Sequence, residues 1–183
     1  EQFRNLEIYD DLSKGKEKLC ISQGQLIENV ILEAEKAWKS ETQVDNILLT
    51  APTGSGKSLL FQLPAIYLGK EYNLLTIVVS PLKALIVDQV ESLQELGYAR
   101  VAYASSDLSP EQKMEVYRQV REGEIDLFYL SPELLLSYDI KHFVGERRIG
   151  LVVVDEAHTV TTWGKEFRVD YWFLGRYLTA LKQ

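Results

Sequence analysis

Apolar residues recur along the chain in two spacings, one typical of helices and one typical of buried strands. From Gln25 to Trp38 the apolar residues fall on one face of a helix and the charged residues on the other. Five short runs rich in β-branched or aromatic residues predict buried strands, at 46–50, 74–80, 100–104, 126–130 and 149–155. Helical spacing between these runs predicts helices over 57–68, 82–96 and 110–122.

The alternation of strands and helices predicts the fold class. Right-handed crossovers of this kind build a mainly parallel sheet that is flanked by helices on both faces. Ligands of such α/β folds bind beyond the carboxyl ends of the strands. Residues 1–20 mix charges without clear periodicity, so we expect an N-terminal lead-in there and one domain over 21–183.

The composition of the chain limits the kinds of partner that the protein can bind. The chain has 183 residues, of which 46% are hydrophobic, and no apolar run approaches the roughly 20 residues of a membrane span. We therefore expect an intracellular protein with no membrane partner. The single cysteine, Cys20, excludes an internal disulfide. A net charge of -7, from 20 basic and 27 acidic residues, argues against nucleic-acid binding by bulk charge alone, so local geometry must meet any polyanion.

A glycine-rich loop, APTGSGKS at 51–58, follows the first predicted strand and precedes an apolar helix. Gly54 and Gly56 allow the backbone N–H groups to turn inward around an anion at a helix N-terminus. Lys57 then adds a positive charge for the β and γ phosphates, and Ser58 offers a hydroxyl to Mg²⁺. The residues expected to contact the nucleotide in this loop are Thr53, Gly54, Ser55, Gly56, Lys57 and Ser58.

Two carboxylates end the last predicted strand, in the run LVVVDEAH at 151–158. Asp155 would lie at the carboxyl edge of the sheet near the phosphate loop and hold Mg²⁺ directly or through water. Glu156 would orient and deprotonate the attacking water. His158 is either a hydrogen-bonding relay between nucleotide and polymer sites or a passive loop residue.

With APTGSGKS and DEAH placed, the chain resembles the superfamily 2 helicases, and WGKEFRVDY at 163–171 is similar to the aromatic-rich loop of the RecQ-like family. Supporting stretches are SPLKALIVDQV at 80–90, similar to motif Ia, and YLSPELL at 129–135, similar to motif Ib. Gly24 and Gln25 resemble the end of the motif that reads adenine, although Ser22 stands where that motif usually has arginine. The resemblance covers roughly Ile21 to Leu178.

The resemblance implies a RecA-like P-loop NTPase domain, the first of two motor domains, with ATP and Mg²⁺ as cofactors. It further implies ATP-dependent unwinding of DNA, with 3′ to 5′ movement on a single strand or on the single-stranded tail of a duplex. The second RecA-like domain of the same protein, with its arginine finger, would be a partner. The chain ends before that domain, so we expect it to be a fragment.

Aromatic side chains after DEAH predict contacts to nucleic-acid bases. Trp163, Phe167 and Arg168 combine stacking surfaces with a cation, and each stacked base contributes roughly 1–3 kcal/mol. Arg168 could report DNA occupancy to the ATP site. Trp172 and Phe173 could instead face the core.

Two further segments predict contacts to the backbone of the tracked strand. They lie where a strand ends and a helix begins, so backbone N–H groups can bind a phosphate there. Their residues are Ser80, Leu82, Lys83, Ser131 and Glu133. Ser80 and Ser131 could equally be simple helix caps.

Three other functions are compatible with these motifs. One is a translocase or nucleic-acid sensor that hydrolyses ATP without separating strands. Another is a binding module that clamps nucleic acid or protein without turnover, although intact GKS and DE argue against it. An RNA substrate is the third, because contacts to the nucleic-acid backbone carry little sequence information.

The aromatic-rich loop yields the first testable prediction. We expect Trp163→Ala to remove the stimulation of ATP hydrolysis by single-stranded DNA while leaving basal hydrolysis in place, because the indole contacts the bases and not the nucleotide. Arg168→Ala should reduce the same stimulation. Hydrolysis measured with and without DNA checks both variants, and undiminished stimulation in either would contradict the assigned role.

Overall fold

A computed structural model of the chain describes residues 5–9, 18–39, 46–50 and 54–157. The chain divides into two compact units, Glu1–Tyr67 and Leu68–Gln183. In the described part of the chain, the first unit contains an N-terminal hairpin, one helix and the start of a second helix.

The N-terminal hairpin differs from the predicted lead-in. β1, Asn5–Tyr9, pairs antiparallel with β2, Lys18–Ser22. Neither strand was predicted, because each is only five residues long and the residues between them are mostly charged or polar. The hairpin leads directly into α1, Gln23–Trp38, where Ser22 and Gln25 form a capping box. The predicted helix is therefore confirmed, and it begins two residues before Gln25.

The predicted strand at 46–50 is not formed. These residues adopt no regular secondary structure, and the Leu48 side chain is 87% exposed. Among the described residues no strand pairs with this run. An apolar run needs a hydrogen-bonded neighbour to become a strand, and this one has no such neighbour in the described chain.

The remaining predicted strands and helices are confirmed, with ends that shift by at most four residues. The strands are β3, Leu75–Val79; β4, Val101–Ala104; β5, Leu127–Leu130; and β6, Ile149–Val154. The helices are α2, Leu59–Tyr72; α3, Lys83–Glu95; and α4, Pro110–Arg121. Two short helices, α5 at Pro132–Leu136 and α6 at Ile140–Val144, were not predicted.

The four strands β3 to β6 form one parallel sheet in the order β4-β5-β3-β6. Their last residues are in register, because Val79 pairs with both Leu130 and Val154, and Ala104 pairs with Leu130. The residues that follow the four strands therefore reach the same edge of the sheet. This confirms the predicted parallel α/β architecture.

Buried aromatic rings join the sheet to its helices. Tyr117 of α4 contacts Phe143 of α6 edge-on, with ring centroids 5.2 Å apart, and contacts Phe128 of β5 at 6.4 Å. Phe128 and Phe143 are fully buried. Such edge-to-face pairs add to the hydrophobic stabilisation of this core.

A buried carboxylate, Asp126, organises the amino-terminal edge of the sheet. Arg100 donates to both of its oxygens, at 2.6 and 2.8 Å. Tyr98 donates its hydroxyl at 2.9 Å, and Arg147 donates from Nη2 at 3.1 Å. Gly69 of α2 makes room for this carboxylate, because a Cβ there would lie 2.3 Å from its Cγ. The segments that precede β4, β5 and β6 are thus tied together by one side chain.

Burial affects the titration of the groups around Asp126. It raises the pKa of the Tyr98 hydroxyl, and the neighbouring carboxylate raises it further. Burial lowers the pKa of Arg147, whereas Asp126 opposes that change. Tyr98 therefore remains a protonated donor, and the carboxylate offsets part of the desolvation cost of the Arg147 guanidinium.

We expect Asp126→Asn to lower the free energy of unfolding by about 3–5 kcal/mol, because it leaves a buried guanidinium without its counter-ion. The matched control is Glu124→Gln, which removes an exposed carboxylate bound to Arg118 and should cost no more than about 1 kcal/mol. Urea unfolding of both variants measures the difference. Equal losses would show that the buried cluster contributes no more than a surface ion pair.

Candidate functional site

The glycine-rich loop turns into α2 as expected for a phosphate-binding loop. Gly54 and Gly56 have φ angles of 77° and 79°, in the left-handed region that glycine adopts without strain. Beyond them, the Leu60 N–H donates to the Lys57 carbonyl at 2.9 Å, and the Leu59 N–H donates to the Gly56 carbonyl at 3.1 Å. The chain thus enters the helix immediately after the turn, so the loop lies at the positive, amino-terminal end of α2.

Gln23, the first residue of α1, braces this loop. Its side-chain amide donates to the Ser55 carbonyl at 2.8 Å, and the residue is only 3% exposed. A Cβ at position 56 would lie 2.6 Å from Nε2 of Gln23, so the second glycine is needed for this close contact as well as for its backbone angle. Sequence analysis missed Gln23. Its place in QGQ, one glycine before Gln25, was the available signal.

Gln25 closes the capping box at the start of α1. Its side-chain oxygen accepts from the Ser22 N–H at 2.9 Å, and its own N–H donates to the Ser22 hydroxyl at 3.1 Å. The residue is exposed. The capping role uses the amide oxygen of Gln25 and not its Nε2 group.

Asp155 and Glu156 lie in a turn at the carboxyl end of β6. The Asp155 N–H continues the sheet by donating to the Val79 carbonyl at 2.9 Å, and its Oδ1 accepts from the Glu156 N–H at 2.9 Å. Glu156 has a φ of 50°, one of two non-glycine residues in the described chain with a positive value. That conformation costs roughly 1–2 kcal/mol for a residue with a Cβ. Such strain is characteristic of functional sites.

Ser80 and Ser131 occupy the edge of the sheet where Asp155 lies. Ser80 is 1% exposed, and its hydroxyl has no partner among the described residues. The Ser131 hydroxyl accepts from the Leu134 N–H at 3.3 Å, as the N-cap of α5. Ser131 is therefore a helix cap, one of the two roles weighed for it, whereas Ser80 caps no helix because α3 begins at Lys83 with Leu82 as its N-cap.

Lys83, the first residue of α3, is paired with a carboxylate. Its ammonium contacts Asp107, in the loop between β4 and α4, and both side chains are about half exposed. Leu82 is half-buried and gives α3 no side-chain cap, so the N–H groups of the first turn lack the partner that a polar cap would supply. Glu133 is exposed in the first turn of α5.

The described residues include oxygen donors of the type that bind Mg²⁺ together with a nucleotide. No three His, Cys, Asp or Glu side chains among them form a metal cluster. Mg²⁺ at phosphate sites uses one or two carboxylates, phosphate oxygens and water. One carboxylate at the sheet edge, Asp155, and one hydroxyl after the loop lysine, Ser58, are donors of that type.

The predicted site residues fall into two groups, one on each compact unit. Gln25, the loop 54–58 and the unpredicted Gln23 belong to the first unit, whereas Ser80 to Glu156 belong to the second. Five predicted residues lie outside the described part of the chain: Thr53, His158, Trp163, Phe167 and Arg168. Within the described residues, no helix is long and apolar enough to cross a bilayer.

A known protein family has a sequence model that matches most of the chain. Residues 32–180 match the model of the DEAD/DEAH box helicase family. The chain belongs to the DEAD/DEAH box helicase family. That match includes both the phosphate loop and the Asp-Glu turn of this helicase domain.

The RecQ resemblance is confirmed by curated relatives of this helicase domain. It is 38% identical over 126 residues to the ATP-dependent DNA helicase RecQ of Bacillus subtilis. The matched region covers 69% of the chain and 20% of that protein. It is 42% identical over 130 residues to the RecQ helicase of Synechocystis, with 70% and 26% covered. The chain thus spans about a fifth to a quarter of the length of these relatives.

A solved helicase structure confirms the RecA-like fold. The helicase domain matches the DUF1998 helicase MrfA, in a crystal structure bound to DNA and AMPPNP, with a TM-score of 0.56 and 20% identity. The match covers 87% of the chain and 23% of MrfA. At this identity the likeness bears on the fold alone.

Two capping boxes allow the predicted adenine contact of Gln25 to be tested. Gln112 closes the same box with Ser109 at the start of α4. We expect Gln25→Ala and Gln112→Ala to cost similar stability, because each removes the same contact. Gln25→Ala alone should reduce the preference for ATP over GTP, measured with fluorescent nucleotide analogues. Unchanged selectivity would leave Gln25 with a capping role only.

Proposed function

We propose that the chain is the first motor domain of a RecQ-like DNA helicase, which couples ATP hydrolysis to movement along single-stranded DNA. The observation that supports it most is the pair of backbone features at the two motifs. The phosphate loop has its two glycines in left-handed conformations and leads directly into α2. The Asp155-Glu156 turn ends a parallel strand with a strained glutamate.

Each of these residues has a role that follows from its chemistry. Thr53, the loop N–H groups and Lys57 bind the phosphates of ATP, and Ser58 and Asp155 hold Mg²⁺. When bound there, Mg²⁺ would supply positive charge to offset the charge that builds on the phosphate oxygens. Glu156 accepts the proton of the attacking water, and its left-handed backbone conformation directs the chain away from the strand axis as the turn begins.

The nucleic-acid side of the proposal rests on residues of the second unit. Ser80, Leu82 and Lys83 contact the phosphate backbone at the start of α3, and Ser131 and Glu133 contact it at the start of α5. Trp163 and Phe167 stack on bases, Arg168 reports DNA occupancy to the ATP site, and His158 is the relay between the two sites. The exposed first turn of α3, which has no side-chain cap, supports the first of these contacts.

The wider proposal concerns the whole protein. A second RecA-like domain of the same protein completes the ATP site, and movement runs 3′ to 5′ along a single strand or a single-stranded tail. The protein acts inside the cell, in the cytoplasm of a prokaryote or the nucleus of a eukaryote. The RecQ relatives, which are DNA helicases by name, support DNA rather than RNA as the substrate.

We expect Lys57→Ala to lower DNA-stimulated ATP hydrolysis by about 100-fold or more, because it removes a charge that stabilises the transferring phosphate. The control is Lys70→Ala, which changes an exposed lysine farther along α2 and should leave hydrolysis unchanged. Both variants are measured in the whole protein, with and without single-stranded DNA.

Strand displacement on duplexes with a 3′ or a 5′ tail extends the test. Separation from the 3′ tail alone supports a helicase of the proposed polarity. DNA-stimulated hydrolysis without displacement of either duplex supports a translocase or sensor instead. If wild-type protein binds ATP without turnover on any nucleic acid, the motor function is wrong and a nucleotide-gated binding module takes its place.

A further inference from the structure

A chain of hydrogen bonds connects the core of the sheet to Asp155. The hydroxyl of Tyr129, in the centre of β5, donates to Oε1 of Gln89 at 3.0 Å. The Nε2 group of Gln89, on α3, donates in turn to Oδ2 of Asp155 at 3.5 Å. Tyr129 is fully buried and Gln89 is half-buried. Three separate elements of the second unit therefore meet at the amide of Gln89.

The chemistry of these groups fixes the orientation of that amide. A carboxylate only accepts hydrogen bonds, so the NH₂ group of Gln89 must face Asp155. Its carbonyl then faces Tyr129, whose hydroxyl donates to it. Because Tyr129 is held in the core, Gln89 has little freedom to turn away from the carboxylate.

The Asp155 carboxylate is held at both oxygens. Oδ1 accepts from the Glu156 N–H and Oδ2 accepts from Gln89. Among the described residues, Gln89 is the only side chain that donates to it. The bond to Gln89 is long, so it shortens or breaks with a small displacement of α3.

The same helix carries a residue of the proposed nucleic-acid site. α3 begins at Lys83, six residues before Gln89, which corresponds to about 9 Å along a rigid helix. Lys83 is balanced by Asp107, and a phosphate that replaces this carboxylate would act on the first turn of α3. A displacement of α3 there reaches Asp155 through Gln89.

We propose that Gln89 is a positioning residue that sets the orientation of Asp155 toward Mg²⁺ and links it to nucleic-acid contact at the start of α3. The inference rests on the proposed function, in which Asp155 holds Mg²⁺. Gln89 touches neither the nucleotide nor the attacking water in this role, and it acts through the Asp155 carboxylate.

Binding of the non-hydrolysable analogue AMPPNP, titrated with Mg²⁺ in the whole protein, tests the positioning role without turnover. We expect Gln89→Leu to raise the Mg²⁺ concentration at half-saturation about fivefold, the size of effect that one hydrogen bond contributes. Gln89→Asn should do the same, because its amide is one methylene too short to reach Asp155. The melting temperatures of Gln89→Leu and Gln89→Asn are measured as well, and the Mg²⁺ titration is interpreted for the variant whose melting temperature equals that of the wild type.

Gln94→Leu is the matched control. Gln94 lies on the same helix and donates a bond of the same length, 3.5 Å, to the Val101 carbonyl, but it has no contact with Asp155. We expect its Mg²⁺ titration to match that of the wild type. If the Gln94 and Gln89 variants shift equally, the effect comes from a general loosening of α3 and the inference is wrong.

Asp155→Asn separates failure of the inference from failure of the proposed function. If Asp155→Asn abolishes the Mg²⁺ dependence while Gln89→Leu leaves it unchanged, Gln89 has no positioning role and the proposed cation site stands. If Asp155→Asn also leaves it unchanged, Asp155 does not hold Mg²⁺ and the proposed function loses that residue.

A single-stranded oligonucleotide tests the link to nucleic acid. Adding it should lower the Mg²⁺ concentration at half-saturation in the wild type but not in Gln89→Leu. An equal decrease in both proteins would overturn the link, because contact at α3 would then reach the site without Gln89.

Discussion

The register of four parallel strands determines where the candidate residues of the second unit lie. Because β3 to β6 end on paired residues, the next residue of each strand reaches one edge of the sheet. Those residues are Ser80, Ser105, Ser131 and Asp155. A shift of one residue in any strand would turn the following side chain to the other face. The candidate site therefore depends on backbone hydrogen bonds in the core more than on contacts between the site residues themselves.

The opposite edge of the sheet carries the groups that stabilise this register. Asp126 accepts from Tyr98, Arg100 and Arg147, which lie just before β4 and β6. Loss of a partner from this buried group of charges leaves an uncompensated charge and strongly destabilises the fold. The amino-terminal edge is thus stabilised by one buried carboxylate that two guanidiniums share, whereas the carboxyl edge carries hydroxyls and carboxylates. This division separates stability from the proposed chemistry within one sheet.

Hydrophobic patterning predicted the four long helices and four of the central strands, because their apolar residues recur at helical spacing or in short continuous runs. The run at 46–50 has the same pattern but no strand partner among the described residues, and a pattern alone cannot reveal whether a neighbour exists. The N-terminal hairpin was missed because its strands are only five residues long, and the alternation of Leu6 and Ile8 is too short to stand out among the charged residues around it. The phosphate loop and the Asp-Glu turn were found because glycines, a lysine and paired carboxylates at this spacing seldom occur together outside nucleotide-binding folds.

The residues that sequence analysis missed are neutral glutamines, and their neutrality suits the positions they occupy. Gln23 donates to a carbonyl of the phosphate loop, and Gln89 donates to the Asp155 carboxylate. A lysine in place of Gln89 would hold the carboxylate more strongly, but it would also neutralise the charge that a cation requires. An amide can orient a carboxylate and leave its charge available. The same property makes such residues hard to recognise, since a half-buried glutamine in a helix has no distinctive spacing.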